Sequence, residues 1–439
     1  MFNYFLRRLL LIPPTLFLIT LLVFGISRMM PGGPVDRQLN AAVMAANEQN
    51  STANDQSSSP LGEEQIEAIE EEYGYDKPVI IAYFQWLGLL PKNSFLSKAE
   101  YKEGEGVLTE VELILKGVGR RVIVEVKDSK VESAKYEDGS QISEDNWSVR
   151  IENEALRQKK YRKRNGLEAE EDVPKYDSRV VVFKNKFQGL LQGNLGRSII
   201  YGDTVLSMIL DRVPVASYFG ILTALITYLV SIPLGVLKAI KHRTPIDTLS
   251  SILIFIGYSV PGFALGAVLV IWLGAQMELF PLFGLVSSDF GSMSMFDKIK
   301  DLAHHTLLPL LCYVIGGFAY LTMMMKNNLM DNLAADYVKT AISRGSSFPH
   351  AVFGHALKNS LIPIATSLGG LITLFVSGSL LIERVFDIQG FGLLQFNAVI
   401  FVDIPLVMGT LTISSLLVLV GNILSDFIVA AIDPRIKFN

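Results

Sequence analysis

The chain has 439 residues, of which 50% are hydrophobic and only 19% are charged, and its mean hydropathy is +0.37. These values indicate an integral membrane protein, and a net charge of −4 gives no reason to expect nucleic-acid binding. The single cysteine, Cys312, excludes an internal disulfide and a cysteine-based metal cluster. Residues 31–205 hold 23 of the 39 basic and 30 of the 43 acidic residues, so one soluble block interrupts an otherwise apolar chain.

Six stretches of the chain are long and apolar enough to cross a membrane as helices. A hydrocarbon layer of ~30 Å takes ~20 mostly apolar residues, because a spanning helix satisfies its backbone polar groups within the segment. None of the six contains an acidic or basic residue. The first is longer than a signal-peptide core and precedes no small-residue cleavage site, so we expect it to stay as an anchor. These windows are residues 9–27, 218–237, 249–273, 307–325, 361–381 and 406–424.

The basic residues of the short connecting segments predict the orientation of the windows. Eleven Lys or Arg residues flank the side that holds the N-terminus, against three on the other side. Since cytoplasmic loops carry the excess of basic residues, both termini are predicted to be cytoplasmic and residues 31–205 to lie outside. The eleven are Arg7, Arg8, Lys238, Lys241, Arg243, Lys326, Lys339, Arg344, Lys358, Arg435 and Lys437, and the three are Lys298, Lys300 and Arg384.

The outside block is predicted to contain a flexible linker and a small α+β module at residues 95–186. The hairpin signal is the alternation of apolar and polar residues on both sides of Lys116-Gly117-Val118-Gly119. The role of the module stays open between stabilising the loop and docking a periplasmic partner. The predicted elements are a linker at 40–60, an acidic helix at 63–72, strands at 107–115, 121–127 and 180–183, and a charged helix at 152–164.

The segment between the fourth and fifth windows, residues 326–360, has the pattern of two short helices. Apolar residues at positions 334, 337/338 and 341/342 share one face of the first predicted helix. Gly345 follows, as is common just after a helix C-terminus, and a second helix is predicted at 350–359. From the pattern alone, the segment is either a rigid knob on the cytoplasmic surface or an interfacial amphipathic linker.

The sequence gives little support to an enzyme or a metal site. It lacks a Walker A motif and the common hydrolase, protease and Cys-x-x-Cys motifs, so we expect neither catalytic residues nor a metal. Pro261, inside the third window, predicts a helix that bends around a cavity. Glu383, Asp387 and Asp403 follow the fifth window and either line the mouth of a pathway or lie in a solvated loop.

Two stretches of residues 326–360 carry a family resemblance. They are Asp336-Tyr337-Val338-Lys339-Thr340-Ala341-Ile342-Ser343-Arg344-Gly345 and His355-Ala356-Leu357-Lys358-Asn359-Ser360-Leu361-Ile362-Pro363. Together they resemble the coupling loop of bacterial ABC-importer permeases of the oligopeptide/dipeptide family, with Lys339 at the position of the motif's usual Glu. Further landmarks of that family are Arg7-Arg8-Leu9-Leu10, Gly193-Asn194-Leu195-Gly196-Arg197-Ser198, Gly257-Tyr258-Ser259-Val260-Pro261, Glu383-Arg384-Val385-Phe386, Gly390-Phe391-Gly392-Leu393 and Asp433-Pro434-Arg435.

Within this family, three more stretches resemble the Yej-type permeases of microcin C and peptide importers. They are Pro31-Gly32-Gly33-Pro34-Val35-Asp36, Tyr73-Gly74-Tyr75-Asp76-Lys77-Pro78 and Tyr228-Leu229-Val230-Ser231-Ile232-Pro233-Leu234-Gly235. The resemblance covers roughly residues 1–90 and 187–439, and residues 95–186 have no counterpart in it.

The resemblance implies an all-α permease subunit of the bacterial inner (plasma) membrane with six transmembrane helices. Both termini are then cytoplasmic, and a small α+β insertion between the first two helices is periplasmic. Implied partners are a second permease in a heterodimer, ABC ATPase subunits that bind ATP and Mg²⁺, and a periplasmic solute-binding protein; no cofactor is expected on this chain. The implied domains are an N-terminal helix at 1–30, a periplasmic loop at 31–205, and a five-helix permease core at 206–439 with the coupling loop at 326–360.

The family also implies roles for individual residues. Coupling to the ATPase is expected from Asp336, Tyr337, Lys339, Thr340, Ala341, Arg344, Gly345 and Pro363, and the residues predicted to line the pathway are Ser259, Pro261, Glu383 and Phe386. A secondary transporter is an alternative, although windows without charges argue against proton or sodium coupling. A membrane-anchored sensor or scaffold is another, and it would leave residues 326–360 without a role. The sequence does not specify the substrate.

Overall fold

The computed structural model of the chain describes most of its residues. They are 2–29, 67, 70–71, 73–101, 107–115, 118–127, 130–145, 147–165, 167–168, 173, 175–377 and 379–432. The predicted linker at 40–60 and most of the predicted acidic helix at 63–72 lie outside them. Contacts divide the chain into two compact units, Gly74–Asn194 and the combination of Met1–Tyr73 with Leu195–Asn439.

The helices and strands of both units are numbered in chain order. They are α1 Phe2–Met29, α2 Val79–Leu87, β1 Lys92–Tyr101, β2 Val107–Leu115, β3 Val118–Lys127, β4 Lys130–Tyr136, β5 Trp147–Glu152, α3 Glu154–Asn165, β6 Ser178–Lys186, α4 Val205–Ile240, α5 Pro245–Ser259, α6 Gly262–Leu269, α7 Met295–Leu333, α8 Asp336–Ser343, α9 Leu357–Ser377, α10 Leu380–Phe386, α11 Phe391–Ile400 and α12 Ile404–Ile432. Wider π-helical turns at Val270–Gln276 and Ala351–Ala356 extend α6 and precede α9.

The unit Gly74–Asn194 contains two antiparallel sheets of three strands, in the orders β1-β6-β5 and β2-β3-β4. Alternate residues of the two central strands pack into one core, because successive side chains of a strand point to opposite faces. Val122, Val124 and Val126 of β3 are buried there with Val180 and Val182 of β6. Each sheet therefore contributes one apolar face to a shared interior.

Sequence patterning identified half of these strands. The predicted hairpin is confirmed by β2 and β3, and the strand at 180–183 is confirmed with longer bounds as β6. The charged helix predicted at 152–164 is confirmed as α3, at residues 154–165. Strands β1, β4 and β5 were not predicted. All three lie at sheet edges, and β4 reads Lys-Val-Glu-Ser-Ala-Lys-Tyr, with too few β-branched residues to give a strand signal.

Strands β5 and β6 are joined by a buried ion pair. Glu152 and Arg179 face each other across the two strands, and Arg179 Nε donates to Glu152 Oε2 at 2.8 Å. Lys160 of α3 donates to the other carboxylate oxygen at 2.8 Å. Burial disfavours the charged carboxylate, but the cations of Lys160 and Arg179 outweigh it, so the pKa of Glu152 lies below its usual value of 4.5.

Within the described residues of the other unit, four unbroken helices are long and apolar enough to cross a membrane, and each includes one predicted window. They are α1, α4, α7 and α12, with apolar spans Tyr4–Met29, Val205–Ile240, Met295–Leu333 and Ile404–Ile428. Many of their large apolar side chains are exposed, such as Leu225 and Leu229 of α4, which suits contact with lipid. The chain is therefore a helical integral membrane protein, as predicted.

The third window is not one straight helix. Helices α5 and α6 meet at a bend of 88°. Sequence predicted a bend at Pro261, but the change of direction is larger than a kink, because Val260 takes an extended conformation (φ −98°, ψ 120°) and ends α5. A residue before proline is driven to such a conformation by contact with the prolyl ring. The fifth window coincides with α9, which ends at Ser377, before the predicted limit at 381.

Helices α1 and α12 are joined by polar side chains at one end. Arg8 of α1 forms an ion pair with Asp426 of α12, and Tyr4 donates to the same carboxylate at 3.0 Å. Asp426 lies just past the sixth apolar window, and Arg8 and Tyr4 are its partners. The start of the first window and the end of the last one therefore lie at the same level.

Candidate functional site

The segment between α7 and α9 forms a short helix with a tight end. Helix α8 begins after Ala335 and ends at Ser343, and Gly345 adopts φ +95°. The backbone N–H of Gly345 donates to Ile342 and that of Ser346 donates to Ala341, which closes the last turn. Among the described residues, a Cβ at Gly345 would meet no atom within 4 Å apart from those of its two sequence neighbours. The glycine is therefore required by its backbone angle and not by crowding.

Helix α8 is held by one buried side chain. Val338 is fully buried in a core with Leu329 of α7 and Val352 of the π-helical turn. Tyr337 and Ile342 were predicted to share the apolar face of this helix, but that prediction is wrong, since each side chain is 42% exposed. Within α8, only Val338 is buried, while Ala341 is half-buried.

The residues predicted for coupling lie on the outer surface of this segment. Tyr337 donates to Asn332 at 2.6 Å, and Lys339 lies 3.4 Å from Asp336. Phe348 and Phe353 add exposed aromatic rings. The exposed members of the predicted set are Asp336, Tyr337, Lys339, Thr340, Arg344 and Gly345, and Ala341 is half-buried. The surface is thus mixed, apolar and polar, on a helix fixed from beneath.

Pro363 lies in the second turn of α9, next to the same core. The predicted helix at 350–359 does not end before the fifth window, because the π-helical turn runs directly into α9. Ala351 and Ala356 of that turn are buried in the core of Val338. The segment 326–360 and the start of α9 therefore form one packed body.

The break between α5 and α6 exposes irregular backbone. Ser259 and Pro261 are exposed, as are the neighbouring side chains of Tyr258 and Val260. A Cβ at Gly262 would lie 2.6 Å from the backbone oxygen of Cys312, so the glycine permits close contact between α6 and α7. Non-helical backbone at membrane depth is tolerated only where protein covers it or water fills a cavity.

Glu383 is a capping residue and is 1% exposed. Its Oε2 accepts the backbone N–H of Leu393 at 2.7 Å, in the first turn of α11. Its Oε1 accepts the hydroxyl of Tyr313 at 3.2 Å. A Cβ at Gly390 would lie 2.5 Å from this carboxyl group. The motifs 383–386 and 390–393 therefore form a single unit, in which a carboxylate satisfies the N-terminus of a helix.

Two other residues from the predicted site region are also buried. Phe386 packs over Gly266 and Cys312, and its backbone oxygen accepts the N–H of Gly284 at 2.8 Å. Asp403 accepts the hydroxyl of Ser198, a residue of the motif 193–198. Both make structural contacts inside this chain. Asp387, by contrast, is exposed at φ 48°.

Sequence patterning missed a cluster of buried charges where α4, α5 and α7 meet. Lys326 Nζ donates to both carboxylate oxygens of Asp247, at 2.7 and 2.8 Å. Lys238 Nζ lies 3.2 Å from the same carboxylate and donates to Ser250 and Ser251 at 2.8 and 2.7 Å. The two lysines had been counted only as basic flanking residues. The available signal was that all three charges flank apolar windows.

The chain has clear relatives among known proteins. A family model described as "Binding-protein-dependent transport system inner membrane component" matches residues 231–438. The chain is 42% identical to the inner membrane ABC transporter permease protein YejB of Escherichia coli O157:H7 over 248 aligned residues. The alignment covers 56% of this chain and 68% of that protein. Identity to the peptidoglycan transport system permease protein YejB of Agrobacterium fabrum is 40% with the same coverage.

A more distant relative covers more of its own length. The oligopeptide transport system permease protein AppB of Bacillus subtilis is 32% identical over 275 residues, which are 61% of this chain and 85% of that protein. The residues matched by the family model include α8, the break before α6 and the capping unit around Glu383.

Proposed function

Since this chain belongs to the family of inner membrane components of binding-protein-dependent ABC transport systems, we propose that it forms one half of the translocation pathway of a peptide importer. It is a permease subunit, not an enzyme, and a multi-pass protein of the inner membrane. The proposed cargo is a peptide or a peptide-like compound, because relatives are named for oligopeptide and peptidoglycan transport. The proposed partners are a second permease, ABC ATPase subunits that bind ATP and Mg²⁺, and a periplasmic solute-binding protein.

The proposed topology has six crossings, and the buried charges support it. Lys326 follows the fourth window and contacts Asp247, which precedes the third window. These two window ends therefore lie at the same membrane face. If the broken pair α5–α6 returned to the face where it began, the fourth window would end at the opposite face. The contact supports a broken span and argues against a re-entrant loop.

The contact between Arg8 and Asp426 supports the sixth crossing. It joins the start of the first window to the end of the last, which supports a common face for both ends and an even number of crossings. Four unbroken spans and one broken span make five, and α9 would supply the sixth. The excess of Lys and Arg at this face makes it the cytoplasmic one, with the insertion between α1 and α4 in the periplasm.

The proposal depends mainly on helix α8, whose outer surface is exposed while its buried Val338 packs against the membrane helices. In the proposed mechanism ATP binding closes the partner ATPases, and α8, seated on them, moves with them. Because Val338 packs against α7 and the turn before α9, both helices follow as a body. The cavity between the two permeases then changes from inward-facing to outward-facing, a two-state equilibrium biased by nucleotide.

The pathway is proposed to run along the break between α5 and α6. Ser259 and Pro261 are exposed in this chain although their backbone lies between two apolar helices. A water-filled cavity or a second permease would satisfy that backbone. Glu383 and Phe386 are buried, so we assign them to shaping the pathway from behind.

Co-purification and transport together test this function. The chain is expressed with the proposed second permease and ATPase subunits, purified, and reconstituted in liposomes with the binding protein and a radiolabelled tripeptide. We expect a complex of two permeases and two ATPase domains, with uptake that requires ATP on the side of α8. A homodimer that associates with no ATPase would refute the proposal.

A further inference from the structure

The buried charges of Lys238, Asp247 and Lys326 lie beside the core that holds α8. Lys238 is 0% exposed, Asp247 4% and Lys326 8%. Lys326 directly follows Met325, and Lys238 lies between Val236 and Ala239, in the same core as Val338. The ion cluster and the base of α8 therefore occupy the same turns of α4 and α7.

The other contacts of α5 with α7 are apolar, such as that of Gly257, where a Cβ would lie 3.2 Å from Ile315 of α7. Apart from Asp247, the buried residue of α5 is Ile254, which is 6% exposed. Most of its large apolar side chains, among them Leu249, Leu253 and Ile256, are more than half exposed. Apolar contacts of this kind permit sliding, whereas one ammonium bonded to both oxygens of a carboxylate holds two helices in a defined register.

We propose that the Lys326–Asp247 ion pair transmits movement from α8 to the break at Ser259–Pro261. Displacement of α8 moves α7 through Val338 and Leu329. Lys326 of α7 then carries Asp247 at the start of α5, and the far end of α5 is the break. Lys326 and Asp247 are thus positioning residues for transport. The inference rests on the proposed function and adds to it the element that joins the coupling helix to the pathway.

One substitution opens this link and leaves the buried charges balanced. Lys326→Met removes the cation of α7 and keeps an apolar stem, while Asp247 retains Lys238 at 3.2 Å. The acid is therefore not left alone in a buried site, which would endanger folding. Lys326→Arg, which keeps a bidentate cation, is the conservative variant. Lys300→Met, an exposed lysine near the other end of α7, is the matched control.

The distance between α7 and α5 reports the link directly. Spin labels are placed at Asp331→Cys, near the end of α7, and Tyr258→Cys, near the end of α5, with Cys312→Ala as background; both labelled positions are exposed. The distance is measured in the complex with its ATPase, with and without ATP and vanadate. In the wild type it should change by less than about 2 Å, the size of an ordinary helix shift.

In Lys326→Met we expect the distance to shift or broaden on trapping with vanadate by more than that amount. The rate of ATP hydrolysis should stay within about twofold, while tripeptide imported per ATP falls at least about fivefold. Lys326→Arg and Lys300→Met should behave as the wild type. A wild-type distance that itself changes, equal distances in the wild type and Lys326→Met, or the same shift in Lys300→Met would each overturn the inference.

The two proposals fail in different ways. A chain that assembles with no ATPase overturns the proposed function and the inference with it. A complex that hydrolyses ATP but imports none of the tripeptide overturns the proposed cargo, while the label distances still decide the role of Lys326.

Discussion

Substitutions at Gly345 can distinguish the effect of backbone strain within this chain from the effect of contact with a partner. At φ +95° a residue with a Cβ is strained by about 1–2 kcal/mol. Apart from the adjacent residues, no described atom lies within 4 Å of that Cβ, which points into open space. Gly345→Ala and Gly345→Glu should therefore destabilise the isolated subunit by the same amount. Gly345→Asn should cost less, since Asn tolerates positive φ.

Gly345→Ala and Gly345→Glu should differ only when α8 meets the ATPase. We expect Gly345→Glu to lower transport per ATP at least about tenfold, the equivalent of 1.4 kcal/mol. Its carboxylate would have to be desolvated in a tight contact, which costs more than an alanine methyl group. Gly345→Ala and Gly345→Asn should retain most of the coupling.

The assay pairs thermal unfolding of the purified subunit with uptake and ATP hydrolysis in liposomes. Equal melting temperatures for Gly345→Ala and Gly345→Glu would verify the strain argument. Import at the normal rate by Gly345→Glu would show that the loop after α8 is not the coupling contact. An equal loss of coupling in Gly345→Ala would place the cause in the backbone of this chain and would refute an effect of the carboxylate at the ATPase surface.

Two further predictions concern buried carboxylates. In Gly390→Ala the new Cβ would lie 2.5 Å from the Glu383 carboxyl group and should displace it from the N-terminus of α11. Loss of this cap should destabilise the first turn of α11 by about 1–3 kcal/mol and raise the rate of amide hydrogen exchange at Leu393. An unchanged exchange rate would contradict the capping role. Glu152→Gln should destabilise the unit Gly74–Asn194 by about 3 kcal/mol at pH 7, because the buried Arg179 loses the charge of the Glu152 carboxylate. The pKa of Glu152 is lowered on folding, so its stabilisation is present above the unfolded value near 4.5 and is lost as the pH falls through the lower folded value. The difference in hydrogen exchange of β6 between wild type and variant should therefore shrink below pH 4.5, and a difference independent of pH would show that the charge of Glu152 is not its cause.

The membrane helices could be predicted from sequence because lipid makes a uniform demand. Every residue of a span must be tolerated in hydrocarbon, so hydropathy alone identified the windows that became α1, α4, α7 and α12. The size of the bend at Pro261 could not be predicted, since it depends on how closely Gly262 approaches Cys312 on another helix. Local sequence shows that a helix must break but not where its second half goes.

The contacts of the site were harder to predict than its elements. The sequence singled out Glu383 and Gly390 as separate motif residues, and only the fold shows that one caps the helix that follows the other. Val338 and Ile342 have the same apolar character in the sequence, yet one is buried and the other exposed. For a helix of eight residues the face that packs is decided by its neighbours and not by periodicity.

Charged residues at the ends of apolar windows have two physical roles in this protein. A charge at mid-bilayer costs ~2.5–3.5 kcal/mol, so polar links between helices are confined to window ends. The same ends carry the basic residues that set orientation. Lys238 and Lys326 meet both requirements, since they belong to the basic excess from which the orientation is predicted and also bind Asp247. A count of basic residues therefore predicts the orientation but does not show which lysines form ion pairs between helices. An acidic residue next to the start of an apolar window is the sequence feature that distinguishes a paired lysine from a solvated one.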